Sequence, residues 1–86
     1  IPDAVFIGGS GGELKEVLQY IADLDMSIRV VITAVTVETI AECSTYLQEL
    51  DKDYEITQVT AGRSRQIGSY HIVDTNNPVM IFEAIL

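Results

Sequence analysis

The sequence has 86 residues, 48% of them hydrophobic, and 13 acidic against five basic residues give it a net charge of -8. A chain of that length makes one small domain that buries only about two thirds of its unfolded surface. The acidic balance excludes the nucleic-acid backbone as an expected partner, because that partner calls for a basic face, and no apolar run approaches the roughly 20 residues of a membrane span.

In chain order, Ala4-Val5-Phe6-Ile7 lacks polar alternation and predicts a buried parallel strand, covered on both faces. Gly8-Gly9-Ser10-Gly11-Gly12 then makes a tight turn that opens a helix. Ser10 and Glu13 have capping-box spacing, and Leu14, Val17, Leu18 and Ile21 recur at the helical period, so the helix is expected over about 13 to 24. Ile28 to Ala34 is a second β-branched run, read as parallel to the first through a right-handed crossover. Thr36 caps a second helix whose buried stripe is expected to be Val37, Ile40, Ala41, Cys43, Leu47 and Leu50, with Glu38, Glu42, Gln48 and Glu49 in water.

Asp51-Lys52-Asp53 reads as a turn. From Tyr54 to Ala61 the apolar residues change parity, as at a bulge or an edge strand. Gly62 to Asn77 shows no clean period and is expected to be a long excursion, with a short strand at Tyr70 to Val73. Val79 to Ala84 is the last strand, antiparallel to its neighbour because no helical crossover precedes it. The fold class is therefore α/β, half of a doubly wound sheet with a terminal antiparallel hairpin. The chain starts and stops directly on apolar runs and reads as a piece of something larger, with no signal or targeting segment in it. Its single cysteine, Cys43, forbids an internal disulfide, fits a core position and suits a reducing cytoplasm. A bare edge on the first strand predicts self-association, and a homo-oligomer is expected of the full-length protein.

Ligands of open α/β sheets bind beyond the carboxyl ends of the parallel strands, so a ligand is expected near Gly8 to Gly12. One or two glycines would read as a sharp turn and close packing alone; four in five positions exceed what a turn requires and weigh equally for a ligand passing close to the backbone. The pattern G-x-S-x-G between strand and helix also matches a hydrolase nucleophile elbow. That chemistry would need His71, the sole histidine, and an acid before it such as Asp51 or Asp53. Those acids are expected at the opposite edge from Ser10, so Ser10 reads as a cap and not a nucleophile. The turn does not have the G-x-G-x-x-G dinucleotide spacing, and no metal-ligand spacing appears. Arg63, Arg65 and His71 are read as a basic lip able to hold carboxylates; the alternative is that both arginines merely offset surrounding acids.

Asp3-Ala4-Val5-Phe6-Ile7-Gly8-Gly9-Ser10-Gly11-Gly12-Glu13-Leu14, Ile32-Thr33-Ala34-Val35-Thr36-Val37-Glu38-Thr39, Ile56-Thr57-Gln58-Val59 and Asn77-Pro78-Val79-Met80-Ile81 together resemble the C-terminal half of the precorrin-6Y C5,15-methyltransferase (decarboxylating) family of cobalamin biosynthesis. The resemblance runs nearly end to end, and its first two blocks are the specific ones. It implies half of a Rossmann-like S-adenosylmethionine-dependent methyltransferase fold, in which this chain supplies the fourth to seventh strands and the seventh is inserted antiparallel between the fifth and sixth. It further implies a tetrapyrrole (precorrin) substrate. Gly8 and Gly9 are then expected against the cofactor and Gly9, Ser10, Gly11 and Gly12 against the substrate, with Arg63, Arg65 and His71 added to the substrate side by the affinity of guanidinium groups for its carboxylates. Two departures stand out. Leu24-Asp25-Met26-Ser27 replaces the proline-glycine-glycine turn common in the family. The acidic, glycine-rich cofactor loop that follows the family's first strand is absent, which places that loop upstream of Ile1 and leaves the fragment itself expected to be inactive. No residue is assigned to catalysis of the decarboxylation. A noncatalytic α/β interaction domain is the alternative from another class.

Overall fold

The computed structural model describes residues 4–8 and 13–86. Its elements run β1 (Ala4–Gly8), α1 (Leu14–Asp23), β2 (Arg29–Ala34), α2 (Val37–Glu49), β3 (Tyr54–Val59), β4 (Gly62–Ile67), β5 (Tyr70–Thr75) and β6 (Val79–Ile85). β1, β2, β6 and β3 form one sheet in that spatial order, and β4 and β5 form a separate two-stranded sheet. β1 and β2 are parallel, with Ala4 opposite Arg29 and Gly8 opposite Thr33. β6 is inserted antiparallel between β2 and β3, Phe82 lying opposite both Ile32 and Ile56.

Period and burial agree on the helix side of the sheet. Leu14, Leu18 and Ile21 make the buried stripe of α1, and Thr39, Cys43 and Leu47 that of α2. They close over Val30, Ile32, Ala34, Phe82 and Ala84 in one core. Phe82 is fully buried on the inserted strand with its ring 5.9 Å from that of Tyr54, so truncation to alanine there would cost about 3–5 kcal/mol. The Tyr54 hydroxyl ties β3 to α2, lying 2.7 Å from Ser44 Oγ and accepting from Gln48 Nε2 at 3.1 Å. These two bonds, Ser44 first, hold the phenol below its usual pKa.

Both helices cover the same face, and this corrects the expectation that β1 is buried on both sides. Phe6 is 70% exposed on the opposite face, because nothing among the described residues packs there. The stripe expected for α2 is also narrower than expected: Val37, at 77% exposure, and Ala41 face outward. Thr39 takes the place beneath the helix because its hydroxyl has a partner in Thr36. The capping box expected at Ser10 and Glu13 lies partly outside the described residues, and Glu13 makes no side-chain cap bond.

Gly62 to Thr75 is not the irregular excursion expected but a regular hairpin. Gly68, with φ of +60°, and Ser69 are the two turn residues between the paired Ile67 and Tyr70, and glycine at the first of two turn positions is the preference of a twist-matched hairpin turn. Asn76 N donates to Ala61 O at 2.9 Å and closes its base. The hairpin projects from the body, giving extents of 58 × 24 × 20 Å and a radius of gyration of 16.5 Å, against about 12 Å for a compact chain of this length.

Candidate ligand-binding edge

Register places four features at one end of the sheet. Gly8 is level with Thr33, Thr33 with Ile81, and Ile81 with Thr57. The carboxyl ends of β1 and β2, the N-terminus of α2 and the two stems of the hairpin, Val59 and Val79, therefore share this edge. From β1 to β3 is three strand spacings, about 14 Å at about 4.8 Å each, so a ligand lying along the edge would meet the glycine turn on one side and the hairpin on the other.

Gly8 is the one member of the glycine turn that is described; Gly9, Ser10, Gly11 and Gly12 lie outside the described residues. A Cβ on Gly8 would meet only Phe6 Cε1, at 4.0 Å. Among the described residues neither crowding nor a left-handed backbone requires glycine there, and what its hydrogen leaves is open backbone at the strand end. The α2 terminus is capped by Thr36, whose Oγ1 accepts from Thr39 N at 3.1 Å. Exposed apolar side chains gather on either side of this cap, at Val35 and Val37, with Phe6 on β1. Sequence reasoning missed Val35 and Val37 as edge residues, because a helical wheel does not distinguish a first-turn residue facing the core from one facing a ligand.

Arg63 and Arg65 do fall together, on one face of the hairpin, through the alternation of β4. His71 does not join them. It pairs with Gln66, and so belongs to the opposite face with Ser64 and Val73; the three-residue lip is a two-arginine face. Arg65 Nε donates to the Asp74 carboxylate. A surface depression of about 510 Å³ is lined by Arg63, Arg65, Asp74 and Asn76, among others.

A larger depression, about 720 Å³, lies among Arg29, Asp51, Asp53, Tyr54 and Glu83. It is at the amino end of the parallel strands, since Tyr54 is level with Ala84 and Val30, and ligands of such sheets bind at the other end. Volume therefore does not locate the site. The same register sets Asp51 and Asp53 at the far end from Gly8, and His71 is out on the hairpin. Among the described residues the acid and the histidine of a hydrolase arrangement are not brought together; Ser10 itself lies outside them.

Residues 1–85 match the family model described as a precorrin methyltransferase domain. The chain is 36% identical over 80 residues to a protein of Methanothermobacter thermautotrophicus named "Probable cobalt-precorrin-6B C(15)-methyltransferase (decarboxylating)", covering 92% of this chain and 42% of that protein. It superposes on the crystal structure of precorrin 8W decarboxylase from Methanobacterium thermoautotrophicum with a TM-score of 0.83 at 36% identity, covering 98% of this chain and 47% of the other. On precorrin-6y C5,15-methyltransferase from Geobacter metallireducens the TM-score is 0.81 at 30% identity, with coverage of 100% and 47%. The chain thus spans less than half the length of these relatives.

Proposed function

Because the chain belongs to the precorrin methyltransferase domain family, we propose that it forms the C-terminal half of an enzyme that transfers methyl groups from S-adenosylmethionine to a precorrin and removes the carboxyl group of an acetate side chain, in cobalamin biosynthesis. The observation that carries this reading is the family match along nearly the whole chain. The cytoplasm and a homo-oligomeric parent protein belong to the same reading.

Methyl transfer is an in-line displacement, governed by proximity and alignment more than by an acid or base. S-adenosylmethionine supplies the activated methyl group. The open backbone at Gly8 fits a ligand lying close against the strand end, and Gly9 would continue that contact. The substrate would lie across the edge from there, against Gly9, Ser10, Gly11 and Gly12 and against Arg63 and Arg65 of the hairpin. Val35 and Val37 offer apolar surface to a macrocycle, and the guanidinium groups suit its carboxylates, which arginine holds by charge-assisted hydrogen bonds. His71 faces away from this position and would act only through the other side of the hairpin.

The test is to incubate the full-length protein with S-adenosylmethionine and the precorrin, following methyl incorporation and carbon dioxide release together. Both products are expected. A folded full-length protein that yields neither overturns the proposal.

A further inference from the structure

Arg63 lies directly opposite Asp74 in the hairpin, and Arg65 lies opposite Ile72 on the same face. Asp74 thus has two guanidinium groups within reach of one carboxylate. Its Oδ2 accepts from Arg65 Nε, whereas the Arg63 side chain has no hydrogen-bond or ion-pair partner among the described residues. Two cations and one anion leave this face with one positive charge unmatched, on a chain whose net charge is -8.

We propose that Asp74 divides the arginines between two tasks: it fixes Arg65, and it leaves Arg63 to take a single ligand carboxylate. The hairpin face is then a one-carboxylate site and not a two-arginine clamp, with Asp74 as a positioning residue that limits how many carboxylates the hairpin accepts. This rests on the reading above, that the hairpin meets a polycarboxylate. The Arg65–Asp74 pair is about half exposed, with side-chain exposures of 59% and 51%, and exposed pairs contribute little to stability. Removing the Asp74 charge should therefore release a second guanidinium for ligand without dismantling the fold.

The full-length protein would be titrated with a polycarboxylated porphyrin, followed by its absorbance, and with the methyl ester of the same porphyrin as control. Arg63→Ala is expected to weaken binding of the acid about tenfold, the usual consequence of losing a charge-assisted hydrogen bond, and Arg65→Lys, which keeps a cation on Asp74 so that the freed carboxylate does not capture Arg63, about twofold. Asp74→Asn is expected to tighten binding about two- to fivefold and to make it more sensitive to salt, as an added exposed charge requires. The ester should bind weakly to every variant. Equal losses in the two arginine variants, or weaker binding by a folded Asp74→Asn protein, would overturn the division of tasks while leaving the hairpin at the substrate. Unchanged affinity in all three variants, or an ester that binds like the acid, would overturn the hairpin reading itself. If Asp74→Asn melts the hairpin, seen as rapid amide exchange at Arg65 and Ile72, the contrast between Arg63→Ala and Arg65→Lys decides the matter alone.

Discussion

Thr36 and Thr39 are joined twice: Thr36 Oγ1 accepts from the Thr39 backbone N–H at 3.1 Å and donates to Thr39 Oγ1 at 2.9 Å. The first bond caps α2, and the second satisfies the hydroxyl of Thr39, which is only 4% exposed beneath the helix. Thr36→Ala removes both and should cost about 2 kcal/mol, the upper range for a lost cap, because a buried hydroxyl is also left without its partner. Thr36→Ser should retain most of that. Urea unfolding of the two variants checks this, and equal stability of alanine and serine at this position would contradict it.

Cys43 predicts a loss of stability in alkali. Burial, reinforced by the Glu42 carboxylate, pushes its thiol from the ordinary 9.0 up to about 11. The folded state then keeps its proton while the unfolded state releases it, so this group has no effect below about pH 9. Between about pH 9 and 11 it should cost about 1.4 kcal/mol per pH unit. Cys43→Ala should flatten the slope in that interval, and an unaltered slope would show that the thiol is not its source.

The turn after α1 holds Asp25 and Ser27 at φ of 52° and 54°, the left-handed region that costs a non-glycine residue about 1 kcal/mol. Ser27→Gly should relieve part of that cost and raise the melting temperature. A fall in melting temperature would mean that the greater freedom of glycine in the unfolded chain outweighs the relief.

Phe6 projects from the face of the sheet that neither helix covers. The 86-residue chain alone should therefore bind an apolar dye and self-associate, and Phe6→Ser should reduce both. Sedimentation as a stable monomer with no dye binding would refute this.

Ser10 gives a separate test of the turn. If it is not a nucleophile it should resist a serine-directed fluorophosphonate, and covalent labelling would restore the hydrolase reading. The 86 residues by themselves should also show no measurable S-adenosylmethionine binding by calorimetry, since they span less than half the length of their relatives; micromolar affinity would refute the half-domain reading.

The sequence by itself determined the elements that have a buried face. Leu14, Leu18 and Ile21 mark α1, the β-branched run marks β2, and Thr36 marks the start of α2, because burial imposes a period and capping imposes a residue type. The lack of a helical crossover between β3 and Val79 likewise determined that β6 is antiparallel. Tertiary structure alone decided the rest. Gly62 to Thr75 forms two strands in which nearly every side chain is exposed, so no apolar alternation advertises them, and only cross-strand pairing separates His71 from the arginines. Phe6 and Val37 look like core in the sequence, but their exposure depends on which face the helices cover and on where α2 begins at the sheet edge. Hydrophobicity states what a side chain favours; the register of β1, β2, β6 and β3 decides what is there to meet it.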